Sequence, residues 1–135
     1  MGEDLTTRGT PRIRAKKVPR PKVSVDGMIG AAIRSAMDRM FKAGGNPSDI
    51  IPVIDVLFER ANGCCEVSGI PFSDEYDGPA RRRPWVPTVD RIDASKGYEP
   101  DNIRLVCCAV NIALNDWGDD VFNRMVDAAY RKRHG

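Results

Sequence analysis

The chain has one histidine among its 135 residues, and that residue is His134, next to the last position. An imidazole there reads as a surface group rather than a catalyst, so the usual proton shuttle of hydrolytic sites must be sought among other side chains. No apolar run approaches the roughly 18 residues needed to span a bilayer. The first residues also lack the apolar stretch of a secretory signal. Both absences lead to the expectation of a soluble protein of the cytoplasm, with its four cysteines reduced. There is no internal repeat, and a formal net charge of +2 is too near balance to point to a partner.

What is present is unevenly spread. Seven of the 21 basic residues fall between Arg8 and Lys22, with only Glu3 and Asp4 before them in opposition. Two further runs are Arg81, Arg82, Arg83 and Arg131, Lys132, Arg133. Separate basic clusters can converge on a polyanion once the chain folds, which makes nucleic acid the expected partner. The alternative is a set of solvated termini and loops.

Residues 1–25 are rich in Arg, Lys, Pro and Thr and poor in large apolar side chains, so they read as a disordered basic arm. In residues 26–62 two helices are expected. The first covers 27–43, with Asp26 as its N-cap, Met28, Ile33, Met37 and Met40 at helical spacing, and Gly44-Gly45 as its stop. The second covers 48–61, with Pro52 in its first turn or delaying its start, and Asn62-Gly63 ending it. Residues 64–67 look like a short strand, 88–92 like a second, and 103–106 like an extended piece entering a helix over 107–115. A last helix and basic tail occupy 119–135, after the break at Trp117-Gly118.

The chemistry is concentrated in residues 89–111. Asp90 on a strand and Asn111 on the following helix offer a carboxylate and an amide carbonyl, the oxygen ligands a hard cation such as Mg²⁺ or Mn²⁺ accepts alongside water and substrate phosphate. Asn102 carries an amide able to brace the intervening loop through backbone groups. Each of these residues also has a plainer reading: Asp90, Asp93 and Asn102 in turn hydrogen bonds, Asn111 at a helix end, and Arg91 in an ion pair with Asp93 or an acid of the final helix.

Asp90-Arg91, Asn102 and Asn111 resemble the motif of the HNH endonuclease family, together with Ser-Gly-Ile-Pro-Phe before it, Lys-Gly-Tyr in the loop and Asp-Asn-Ile-Arg-Leu-Val-Cys leading into the helix. The likeness covers residues 63–118 and is narrowest to HNH-like proteins common in bacteriophages, which implies a bacterial or phage-infected cell. It implies an α+β fold: a small ββα-metal core (the His-Me finger type) flanked by helices on both sides. It further implies Asp90 and Asn111 as metal ligands, with Asp90, Arg91, Asn102 and Asn111 forming the catalytic set. In the family the residue after the Asp is a histidine that activates water. Here it is Arg91, permanently protonated, able to clamp a phosphate but not to act as that base.

Some HNH proteins hold a structural zinc through paired Cys-x-x-Cys. In this chain Ser68 and Val110 stand where the second cysteines would be, and adjacent cysteines on a strand point to opposite faces. The expectation is no structural zinc, with Cys65 and Cys107 approaching each other and packing among Val67, Ile70, Phe72, Val106, Val110 and Trp117. The function expected is a metal-dependent endonuclease acting on DNA, with Arg81, Arg82, Arg83, Lys96 and Arg104 on the phosphate backbone. The competing reading is a nucleic-acid-binding protein that kept the framework and lost catalysis. A third is an interaction protein whose N-terminal helices dock a partner.

Overall fold

The structure, a computed structural model, describes residues 23–77, 79 and 82–135. The basic arm expected over 1–25 lies almost wholly outside the described residues, as does Arg81. Among the described residues the fold is α+β, with four helices and a two-stranded antiparallel sheet.

Helix α1, Val25–Lys42, begins at Ser24 rather than Asp26, because the Ser24 hydroxyl accepts the Gly27 N–H at 3.0 Å. Asp26 instead sits in the first turn, where its charge suits the positive end of the helix. Ile29, Ile33, Ala36 and Met40 form its buried stripe. Two 3₁₀ turns, Pro47–Asp49 and Ile51–Val53, precede α2, Ile54–Ala61. Pro52 lacks an N–H and disfavours a helical residue before it, which delays the α-helix to Ile54. Asn62, at φ 47°, ends it in the left-handed conformation.

Residues 64–67 do not form the expected strand. Cys64 and Pro71 make one isolated bridge, and the Gly69 N–H bonds to the Cys65 carbonyl at 2.8 Å, closing a tight turn between them. The Glu66 N–H donates to the Leu105 carbonyl at 2.9 Å and seats this turn against the sheet. Strands β1, Pro87–Arg91, and β2, Ile103–Cys107, pair so that Asp90 lies opposite Arg104. Helix α3, Cys108–Leu114, continues directly from β2, and α4, Asp119–His134, follows Gly118 at φ 83°.

One apolar core joins Ile29 and Ile33 of α1 and Leu57 of α2 to Val89, Leu105 and Val110. It therefore crosses the boundary expected between residues 26–62 and 63–118, and α1 packs against β1 itself. No helix among the described residues is long and apolar enough to cross a membrane.

Candidate functional site

Period-two alternation along β1 sends Asp90 and Thr88 to one face and Arg91 to the other. Asp90 is only 8% exposed, and its Oδ2 accepts a 3.0 Å hydrogen bond from Arg104 Nε. The same guanidinium reaches the first residue of α4, with Nη1 2.9 Å from Asp119 Oδ2 and Nη2 2.5 Å from Asp119 Oδ1. One arginine thus bridges two carboxylates in the planar two-pronged geometry that favours Arg over Lys. Burial raises the Asp90 carboxyl above its ordinary range, against the downward pull of Arg104 and with help from the Asp119 charge. The Arg104 hydrogen bond holds Asp119 below that range.

Asn111 lies half-buried on α3 and donates from Nδ2 to Thr88 Oγ1 at 3.0 Å. The Thr88 hydroxyl spends its proton on the Val106 carbonyl, 2.9 Å away, so it has only a lone pair to offer. That fixes the amide with its NH₂ toward the strand and leaves its carbonyl for another partner. Asp90 and Asn111 line one groove of about 270 Å³, together with Thr88, Arg91, Arg39 and Asp116. A hollow of about 200 Å³ continues it past Arg104, Trp117 and Asp119. Among the described residues, no donor reaches Asp90 Oδ1 or the Asn111 carbonyl oxygen. Two oxygen donors on one polar groove suit a hard cation that keeps waters and takes phosphate oxygens. No group of three or more His, Cys, Asp or Glu side chains among the described residues is placed to hold a metal.

Asn102 is 6% exposed and works as the loop brace. Its Oδ1 accepts the Asp93 N–H at 2.9 Å, and its Nδ2 donates to the carbonyls of Asp93 at 3.0 Å and Gly97 at 2.8 Å. Asp93 is occupied in the same turn, accepting from the Ser95 N–H at 2.9 Å and its hydroxyl at 2.6 Å. Neither an acid of the last helix nor Asp93 pairs with Arg91. Its Nη1 donates to the Lys96 carbonyl at 3.1 Å, and its guanidinium lies 5.4 Å from the Tyr98 ring centre. Arg39 Nε approaches the Tyr98 hydroxyl from α1 at 3.4 Å. Among the described residues, no carboxylate forms a salt bridge with either arginine.

Of the expected nucleic-acid contacts, Arg82 and Lys96 are exposed, and Arg83 lies 4.9 Å over the Tyr76 ring. Arg104 is a correction: its side chain is 12% exposed and committed to Asp90 and Asp119, so it holds the site together and is not presented to a phosphate. Sequence reasoning missed two residues of the groove. Arg39 lies on the polar flank of a core helix, with no local pattern to set it apart. Asp116 follows Asn115, whose positive φ of 44° reverses the chain and carries the carboxylate to the groove rim.

Cys65 and Cys107 are buried, Cys64 and Cys108 half-buried, and all four are free thiols. Burial pushes the Cys65 thiol up, but hydrogen bonds from Ser68 and from the backbone of Cys107 and Val67 outweigh it and hold it down. Burial, with Cys65 alongside, raises Cys107. Phe72, Val106 and Val110 pack around them with Val67 partly buried, whereas Ile70 and Trp117 are exposed and stand outside the expected packing.

No family model, curated protein or solved structure matches the chain.

Proposed function

We propose that the protein is a metal-dependent HNH-like endonuclease that hydrolyses DNA phosphodiester bonds, its ββα unit being β1, β2 and α3. The observation that carries this reading is the convergence of Asp90 and Asn111 on one groove, each with an oxygen that faces no donor among the described residues. A divalent cation held there supplies charge stabilisation to the scissile phosphate and the departing oxygen. The chain's own residues do the rest. Asn102 keeps the 93–97 turn in shape, and through it the position of Arg91 over Tyr98. Arg91, unpaired with any described carboxylate, clamps a phosphate oxygen beside the groove. It cannot take a proton, so the attacking water needs another acceptor. Asp116 lines both parts of the groove and fits that role.

The competing reading is a nucleic-acid-binding protein without catalysis. It is favoured by one observation: Asp90 is already neutralised by Arg104, so a cation has to share that carboxylate.

Supercoiled plasmid incubated with the protein and Mg²⁺ or Mn²⁺ separates the two. Nicking is expected, and it should be lost in Asp90→Ala and Asn111→Ala and fall at least ~100-fold in Asp116→Asn. Plasmid that shifts on a gel yet stays intact favours the binder. Neither cleavage nor a shift at low salt would sink both readings.

A further inference from the structure

Helix α4 is tied to the body by Arg104 at its first residue and by Phe122, which packs partly against the core. None of its 16 residues is buried. Its apolar positions are Val121, Phe122, Met125, Val126 and Ala129, the spacing of a single helical stripe. Val121, Met125 and Val126 are 45%, 47% and 46% exposed, and Trp117 continues the patch at its foot with 60%. An amphipathic stripe about 12 Å long, left open along a helix of about 24 Å, is the kind of apolar surface that marks an interface.

The charges on the helix select its occupant. Asp116, Asp119 and Asp120 gather at one end, and Arg131, Lys132 and Arg133 at the other. A polyanion or an anionic membrane would be repelled by the acidic end. A second α4 in parallel would set like charges side by side. Run antiparallel, it sets each acidic end against a basic one and opposes the two helix dipoles.

We propose that α4 pairs antiparallel with α4 of a second copy of this chain, across a two-fold axis at Met125. Met125 lies midway between Asp119 and Arg131, and also between Val121 and Ala129. A two-fold axis there therefore stacks Met125 on its own counterpart, Val121 on the second copy's Ala129, and the acidic end on the basic end. The interface is self-complementary, as a closed dimer requires. Lys132 and Arg133 of one copy also arrive beside the exposed Trp117 of the other, a cation–aromatic arrangement. Two helices of this length bury an area near the low end of specific interfaces, roughly 1,200 Å² in total, which suits reversible association. Val121, Met125, Val126 and Ala129 of the pairing stripe lie outside the Asp90–Asn111 groove, whereas the adjoining Asp116 lines that groove and Trp117 its continuation, so the test reads association and not cleavage.

Sedimentation equilibrium of the full chain tests it. From about 1 μM to a few hundred μM, the mass should rise from 14.9 kDa toward twice that value. Met125→Asp, at an exposed position, should stay folded by circular dichroism and weaken association at least ~10-fold. In oxidising buffer, with wild type as control for the native cysteines, Val121→Cys mixed with Ala129→Cys should cross-link faster than either variant alone. A wild-type monomer throughout, an undiminished dimer in Met125→Asp, or equally fast cross-linking of Val121→Cys with itself would each overturn the proposal.

Discussion

Asp90 and Arg91 are consecutive on β1, yet the two ends of that peptide bond sit in opposite electrostatic worlds. Toward α4, Asp90, Arg104 and Asp119 form a chain of alternating charge that is nearly dry at Arg104 and Asp90, with side chains 12% and 10% exposed, and reaches solvent at Asp119. Toward α1, Arg91 and Arg39 flank Tyr98 in the open, with aromatic and carbonyl partners but no described carboxylate. The first region is electrostatically closed and fixes geometry. The second is electrostatically open and has positive charge to offer. Strand alternation begins this contrast, since a one-residue step turns a side chain to the opposite face, and the register that sets Arg104 opposite Asp90 completes it. It also explains how the sheet can seat one charge inside the protein while presenting the next to a ligand.

The largest effect should come from breaking the closed region. Arg104→Met keeps much of the side-chain volume but leaves the Asp90 carboxylate buried without a cation. The expected loss is about 3 kcal/mol in urea unfolding at neutral pH, the scale on which an orphaned buried charge is felt. Adding Asp90→Asn should recover part of it, because a neutral amide does not need the guanidinium. Equal losses in the single and double variants would mean that Arg104 acts by packing, not by charge.

A smaller change sharpens the same region. Because the folded Asp119 carboxyl is held below its ordinary value, the unfolded chain binds the proton first as pH falls. Its stabilisation is whole above the ordinary carboxylate value and is lost as pH falls through the folded value. Asp90, raised by burial, runs the other way: protonation favours the folded state as pH falls from its folded value to the ordinary one. Asp119→Asn should therefore destabilise at pH 7 by at most about 1 kcal/mol, since Asp119 is 42% exposed and screened. The difference from wild type should shrink toward pH 3. A difference that grew on acidification would show that the Arg104–Asp119 contact does not act through charge.

The same contrast governs what the sequence disclosed. The Asn102 brace was legible because an amide at the end of a Gly-containing loop has few uses other than bonding to backbone. The β1–β2–α3 order was legible from alternation and the strand-to-helix run through Cys107. The partner of Asp90 was not. Arg104 reads as one more arginine until the strand register sets it opposite Asp90, and no local pattern encodes register together with the reach to Asp119. The strand expected at residues 64–67 failed for a related reason. Its apolar character is real, but the reversal through Gly69 leaves room for only one bridge. Arg39 and Asp116 reach the groove by tertiary packing alone, so spacing could not reveal them.

The smallest effect on stability, and the most direct probe of the open region, belongs to Arg91→Ala. The side chain is exposed and donates one hydrogen bond, to the Lys96 carbonyl, so unfolding should change by no more than about 0.5 kcal/mol. Its consequence should appear in binding. Removing one phosphate contact should lower the slope of log affinity against log salt by about 1 for duplex DNA, with a similar loss on every sequence. Arg91→His distinguishes clamp from vacancy. If the positive charge over Tyr98 is what the groove uses, histidine at neutral pH should bind DNA more weakly than wild type and nick less. Faster nicking would instead show that β1 lacks only a proton acceptor at this position, and that the open region is a catalytic gap rather than a working clamp.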